Sequence, residues 1–207
     1  MELLAHRGLW AAAGERNTLG AFEAAFARGW GVELDVRDLG GELVVSHDPP
    51  ARGALPLAAV VERHVAAGCP GVLAVNVKAD GLEQLLRPAL EPVGRWFGFD
   101  MSVPDARRYA HDGLPFFTRH SDLEGEPALY DAAQGVWLDD FAGGFVAEDR
   151  IAAHLAAGKR VAVVSPELHG RDHLAAWAQW RAWDVWDSAD VLLCTDHPGT
   201  AREVLGR

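Results

Sequence analysis

Residues 5–48, AHRGLWAAAGERNTLGAFEAAFARGWGVELDVRDLGGELVVSHD, decide how the chain is read. A short apolar run ends at His6-Arg7-Gly8. The spacing of Leu19, Phe22, Ala25 and Phe26 predicts an amphipathic helix over 18–28, with Asn17 or Thr18 as its cap and Gly29 beyond its end. A strand follows at 31–36, then a turn at 38–42 and a short returning strand at 43–46 that carries His47 back. Side chains alternate along a strand, so Glu33 and Asp35 share a face. Two carboxylates on one face repel unless a positive charge lies between them, and a divalent cation with oxygen ligands is the usual solution.

Outward from this stretch the same alternation continues. Strands are predicted at 3–6, 72–77, 96–99, 116–118, 135–138, 160–164 and 191–194. Helices are predicted at 56–65, 81–90, 104–109, 147–157, 172–183 and 199–205, with a weak helical turn at 126–133. Strands alternating with helices imply a parallel sheet with crossover helices. Polar side chains follow nearly every strand: in a closed barrel they converge on one mouth, and in an open sheet they would be strewn along an edge. The expected fold is therefore an α/β (β/α)8 TIM barrel with a small β-hairpin excursion after the second strand, one domain across residues 1–207. Trp177, Trp180, Trp183 and Trp186 recur every third residue and read as core packing around the seventh helix.

Composition narrows the partners. Hydrophobic residues make up 49% and charged residues 24%, as in a globular domain. The net charge of −11 argues against a general nucleic-acid or anionic-membrane surface, while leaving room for a phosphate held by local basic groups. Cys69 and Cys194 read as two buried thiols. No apolar run approaches the ~20 residues that span a bilayer, and MELLA is too short for a signal core, so a cytoplasmic location is expected.

Four elements in order, His6-Arg7-Gly8, Asn17-Thr18, Glu33-Leu34-Asp35 and His47-Asp48, resemble the glycerophosphodiester phosphodiesterase family. The resemblance implies a TIM barrel, a phosphodiester substrate and one divalent cation, Mg²⁺ or Ca²⁺. It implies that His6 and His47 are the catalytic acid–base pair, and imidazole titrates in the right range for that work. Arg7 offers a planar fork to phosphate oxygens and Lys78 a second charge. Glu33, Asp35 and Asn76 are the expected metal ligands; the alternative is a salt-bridge network with Arg7 and Lys78.

Two departures qualify the resemblance. Where the family has Glu-x-Lys this chain has Asn76-Val77-Lys78, so the third ligand brings an amide oxygen and no charge; Asp100 is a candidate to make up the deficit. After His47-Asp48 the chain runs through Pro49-Pro50 almost directly into the next helix, without the family's inserted segment, so the pocket is expected to be more open. Beyond the fourth strand lies a further polar set: Asp100-Met101-Ser102, Thr118-Arg119-His120, Asp139-Asp140 and Glu167-Leu168-His169. From it Asp100, Glu167 and His169 are taken as substrate-binding, for a ligand rich in hydroxyls, with loop solvation and helix capping as the alternative. The expected activity is metal-assisted hydrolysis of a small or polymer-linked phosphodiester bearing a polyol or sugar. The alternatives are a binding barrel that kept only the anion site, and a phospholipase or sphingomyelinase D-like lyase forming a cyclic phosphate.

Overall fold

A computed structural model describes residues 1–206. Its strands are β1 (Glu2–His6), β2 (Gly31–Leu39), β3 (Glu42–Val45), β4 (Leu55–Pro56), β5 (Leu73–Val77), β6 (Trp96–Phe99), β7 (Phe117–His120), β8 (Gly135–Leu138), β9 (Arg160–Val164) and β10 (Val191–Thr195). Around them run α1 (Leu19–Phe26), α2 (Leu57–Ala66), α3 (Glu83–Leu90), α4 (Val103–Asp112), α5 (Glu148–Ala156), α6 (His173–Trp180) and α7 (Pro198–Leu205). Parallel pairing runs β1-β2-β5-β6, then β7-β8-β9-β10, and β10 returns to β1. The seam between β6 and β7 is a single parallel bridge, Gly98 to Phe116. These eight strands make the closed (β/α)8 barrel.

β3 and β4 form the hairpin excursion on β2. Its turn is tighter than predicted: only Gly40 and Gly41 lie between the strands, with φ of 63° and 88°. Positive φ at both central residues is the requirement of a two-residue hairpin turn whose twist matches its strands. β4 has two residues, one a proline, and gave no periodicity to read. At 126–133 no helix forms. Leu129 takes a left-handed φ of 54°, and the Thr118 hydroxyl donates to the Ala128 carbonyl at 2.6 Å, so the segment is pinned as turns. Helix starts follow their caps: the Thr18 hydroxyl accepts from Ala21 N, and the Asp172 carboxylate accepts from Leu174 N and Ala175 N.

The pleat sorts the strand residues into two shells. Leu4, Val72, Ala74, Phe97, Phe99, Phe117, Trp137, Ala162, Val164, Leu192 and Cys194 fill the barrel, with Phe97 stacked on Phe117 at 3.7 Å and Phe99 on Trp137 at 3.8 Å. Their neighbours, such as Val32, Leu34, Val163 and Leu193, face the helices. Trp177, Trp180 and Trp186 are buried in the helix-facing shell, as predicted, and Trp183 packs against it. Cys194 is buried, but Cys69 is only half-buried, because it stands in the left-handed turn after α2. No helix among the described residues is long and apolar enough to cross a membrane.

One half-buried polar chain ties α5 to β7. The Tyr130 hydroxyl lies 2.8 Å from His154 Nδ1, and His154 Nε2 lies 2.9 Å from His120 Nδ1. Burial, then the charges of His120 and Arg150, hold the His154 pKa down at about 4. A histidine whose folded pKa is depressed binds fewer protons than in the unfolded chain, so its contribution is present above about pH 6.5 and is lost as pH falls toward 4. Thermal unfolding at stepped pH should show Tm falling through this window, with a shallower fall in His154→Gln. Parallel curves for the two proteins would remove His154 from the account.

Candidate active site at the barrel mouth

Because the inward residues are apolar below and polar above, the C-terminal ends of the strands build a polar cavity of about 480 Å³. Nine of the ten residues singled out from the sequence line it: His6, Arg7, Glu33, His47, Asn76, Lys78, Asp100, Glu167 and His169. The tenth, Asp35, lies beneath, with no exposed surface.

His6 closes β1 opposite Glu33 in register. Its Nδ1 is 2.6 Å from Asp196 Oδ1, and its Nε2 is 3.8 Å from Glu33 Oε2. Burial would raise the Asp196 pKa, but the His6 hydrogen bond and the charges of His6, Arg16 and His197 outweigh it and hold the carboxyl below its ordinary value. An ionised Asp196 can only accept, so Nδ1 carries a proton and Nε2 is the ring nitrogen on the Glu33 side.

Asp196 is itself fixed. Arg16 Nη2 donates to its Oδ2 at 3.2 Å, and its backbone N–H donates to Glu167 Oε1 at 3.0 Å. Glu167 Oε1 also accepts from the Thr195 hydroxyl and Oε2 from the Ser165 hydroxyl. Glu167 therefore lines the cavity with both oxygens committed to joining the ends of β9 and β10. In this geometry it positions Asp196, and through it His6.

His47 is held more loosely. Its Nδ1 is 2.9 Å from Asp48 Oδ1, but the two side chains are 48% and 89% exposed. The hairpin delivers it, with Arg37 Nε donating to its carbonyl at 3.0 Å.

The Arg7 backbone takes a left-handed φ of 57°, and its N–H donates to the Glu33 carbonyl at 3.0 Å. Gly8 follows at φ 88°, where a Cβ would come within 2.7 Å of the Ala21 carbonyl carbon. This sharp corner aims the Arg7 side chain inward. Of the five non-glycine residues at positive φ among the described residues, Arg7, Asn17 and Asp100 stand at this mouth, which is where backbone strain tends to collect.

Below them Asp35 Oδ2 lies 2.9 Å from Arg7 Nε and accepts from Asn17 Nδ2 at 2.8 Å, while Lys78 Nζ is 3.4 Å from Oδ1. The salt-bridge network weighed as an alternative for Asp35 is thus present. Glu33 differs, being 1% exposed with no guanidinium or ammonium in contact. Burial first, then Asp35, push its pKa up to about 7, against the pull of His6, Arg7 and Lys78. Asn76, opposite Asp35 in register, buries its Oδ1 without a hydrogen-bond donor. Among the described residues no group of three or more His, Cys, Asp or Glu side chains is gathered to hold a metal. The oxygens that fit a hard cation are Glu33, Asp35 Oδ1, which accepts no hydrogen bond, and the orphaned Asn76 Oδ1.

The far half of the mouth centres on Arg119, which the sequence reading placed in its polar set without a role of its own. Its guanidinium bonds Asp100 and Asp139, with Nε 3.2 Å from Glu124. Burial would lower its pKa, but Asp100 and Asp139 reverse the shift and raise it. Asp100 is thereby spent on Arg119 and offers no free anion to the Glu33 side, against the expectation that it makes up for Asn76. His169 Nε2 is 2.6 Å from Asp139 Oδ1, and Phe141 packs against its ring at 4.6 Å. Asp139 was read only as one of a polar set and Asp196 was given no role, although each lies two residues beyond an inward-facing core residue, Trp137 and Cys194.

No family model matches the chain, and no curated relative matches it in sequence. Among solved structures, the glycerophosphodiester phosphodiesterase from Agrobacterium tumefaciens is 19% identical, with a TM-score of 0.68 over 99% of this chain and 98% of that one. A phosphodiesterase from Oleispira antarctica, solved with the product sn-glycerol-3-phosphate, is 16% identical, with a TM-score of 0.66 over 100% and 97%. Dihydropteroate synthase from Xanthomonas albilineans matches at 16% identity with a lower TM-score of 0.55 over 98% and 89%. At these identities the likeness is one of fold: the chain has the TIM-barrel fold of the glycerophosphodiester phosphodiesterases.

Proposed function

We propose that the protein is a phosphodiester hydrolase, acting on a small or polymer-linked phosphodiester with a polyol or sugar moiety. The observation that carries this reading is the His6–Asp196 pair aimed at Glu33 inside the cavity that also holds Arg7, Lys78 and Asn76. Cleaving a phosphodiester requires that the phosphoryl charge be offset and that one oxygen lose a proton while another gains one. Arg7 and Lys78 border the place for the phosphate. His6 takes a proton at Nε2 while Asp196 stabilises the imidazolium, and His47 is the second imidazole of the expected pair. Glu33, Asp35 and Asn76 would hold one divalent cation, Mg²⁺ or Ca²⁺, which when bound supplies charge stabilisation to the phosphoryl oxygens. The phosphodiesterases sharing the fold, one of them solved with sn-glycerol-3-phosphate, add weight to this substrate class.

Release of p-nitrophenol from bis(p-nitrophenyl) phosphate, with and without EDTA, tests the reading. Turnover that EDTA abolishes is expected. No turnover with either ion added leaves a binding barrel as the better description.

The cation has its own test, read by calorimetry without substrate. Glu33→Gln should lose Mg²⁺ and Ca²⁺ binding, and Asn76→Asp should tighten it, since a new anion at ligand distance adds Coulomb attraction. Equal affinities in all three proteins would take these residues out of the cation site.

A further inference from the structure

The expected two-histidine scheme leaves one proton to His47, the most exposed imidazole in the cavity. A third imidazole, His169, is better placed to give it. His169 follows β9, on the short 3₁₀ turn Pro166–His169, and its side chain is 22% exposed. Its Nε2 meets Asp139 Oδ1 at 2.6 Å, the same length as the His6–Asp196 contact. Asp139 is nearly inaccessible, at 4% side-chain exposure, and is held by Arg119 and by the Asp140 N–H, 2.9 Å from Oδ1. A carboxylate already bonded by a guanidinium and an N–H accepts from Nε2, and Nδ1 is the ring nitrogen left to exchange a proton with a ligand.

Position around the barrel gives the pair its role. Asp139 ends β8, four strands from β2 in either direction around the closed barrel, and so lies across the mouth from Glu33. A phosphate bordered by Arg7 and Lys78 sends its alcohol moiety toward that far wall. Arg119 cannot protonate the alcohol, because a guanidinium does not release its proton near neutral pH, and it is held by Asp100, Asp139 and Glu124. That leaves His169 as the proton donor there with a buried carboxylate behind it.

We propose that His169, held by Asp139, is a catalytic residue that protonates the departing alkoxide. The proposal rests on the phosphodiesterase reading and changes only the source of the second proton. As water attacks, its oxygen bonds to phosphorus and one of its protons passes to His6 Nε2. The phosphorus–alkoxide bond breaks with its electron pair on oxygen, and the proton on His169 Nδ1 moves to that oxygen. The products are a phosphomonoester and an alcohol, and solvent returns a proton to His169 and takes one from His6.

Leaving-group dependence separates this role from a structural one. The whole chain, with Mg²⁺, is assayed on bis(p-nitrophenyl) phosphate, whose leaving group needs no proton, and on glycerophosphoethanolamine, whose leaving group does. His169→Gln should lose roughly 10²–10⁴-fold on the alkyl diester and only a few-fold on the aryl one. Asp139→Asn should show a weaker form of the same split, and added imidazole should restore part of the alkyl rate of His169→Ala. Equal losses on both substrates, no loss on either, or an alkyl-selective loss in His47→Gln instead would overturn the proposal. So would a wild-type protein that cleaves the aryl diester alone, since a competent acid removes that difference. A wild-type protein that cleaves neither refutes the phosphodiesterase reading itself.

Discussion

His6→Ala should lower kcat on a phosphodiester by roughly 10²–10⁴, the range that a positioned acid or base contributes. Circular dichroism should be unchanged, because His6 sits above the apolar filling of the barrel and removing it opens no core cavity. The loss should fall on kcat more than on KM, since the imidazole works on a proton in transit while Arg7 and Lys78 still hold the anion. Asp196→Asn should reproduce much of the loss with His6 intact: an amide can offer either a donor or an acceptor to Nδ1, so the tautomer that frees Nε2 is no longer fixed. Glu167→Gln, one step further out, should cost less. A His6→Ala protein that keeps a near-wild-type rate would place the chemistry elsewhere in the cavity. A mutant ranking with Glu167 above Asp196 would break the chain of positioning from β9 through β10 to β1.

The barrel was legible because period two and period 3.6 alternate cleanly along the chain and because polar residues recur just past the strands. The boundaries drifted where a cap or turn, rather than hydrophobic spacing, sets the end. α1 begins at Leu19 because Thr18 caps it, and β2 runs to Leu39 because two glycines suffice for the turn. The segment 126–133 forms turns and no helix, pinned by a tertiary bond from Thr118 to Ala128 that hydrophobic spacing does not show.

The first half of the site was legible because its residues are packed into ordered motifs near one another in sequence. The second half was legible as a polar set, but its pairings were not. Asp196, Arg119 and Asp139 each come from a different strand, and their partners lie 190, 19 and 30 residues away: His6, Asp100 and His169. What does reveal them is the pleat. Extending the inward set by one step along β7, β8 and β10, from Phe117, Trp137 and Cys194, lands on Arg119, Asp139 and Asp196. The role of Glu167 could not be found this way. Its carboxylate looks free in the sequence, and only the packing of β9 beside β10 turns it onto Ser165, Thr195 and the Asp196 N–H.

Asp35→Ala should be among the most destabilising single changes in the chain, at about 3–5 kcal/mol, the cost typical of removing one partner from a buried ion pair. Asp35 has no exposed surface, and it is the counterion of two cations that are themselves only 21% and 19% exposed, Arg7 and Lys78. Removing it leaves both positive charges facing each other under the cavity floor, and the Asn17 amide without its acceptor. For a chain of 207 residues each kcal/mol moves Tm by about 2–4 °C, so the melting point should fall by roughly 10 °C. Asp35→Asn should cost less, because it keeps the volume and an acceptor for Asn17 while still losing the charge. Coupling identifies the cause. If the loss comes from stranded cations, adding Lys78→Met to Asp35→Ala should return part of the stability, so the double mutant should be less destabilised than the sum of the two single ones. Strict additivity would show instead that Asp35 acts by filling space beneath β2. A Tm within a degree or two of wild type in Asp35→Ala would mean that the site is built without it.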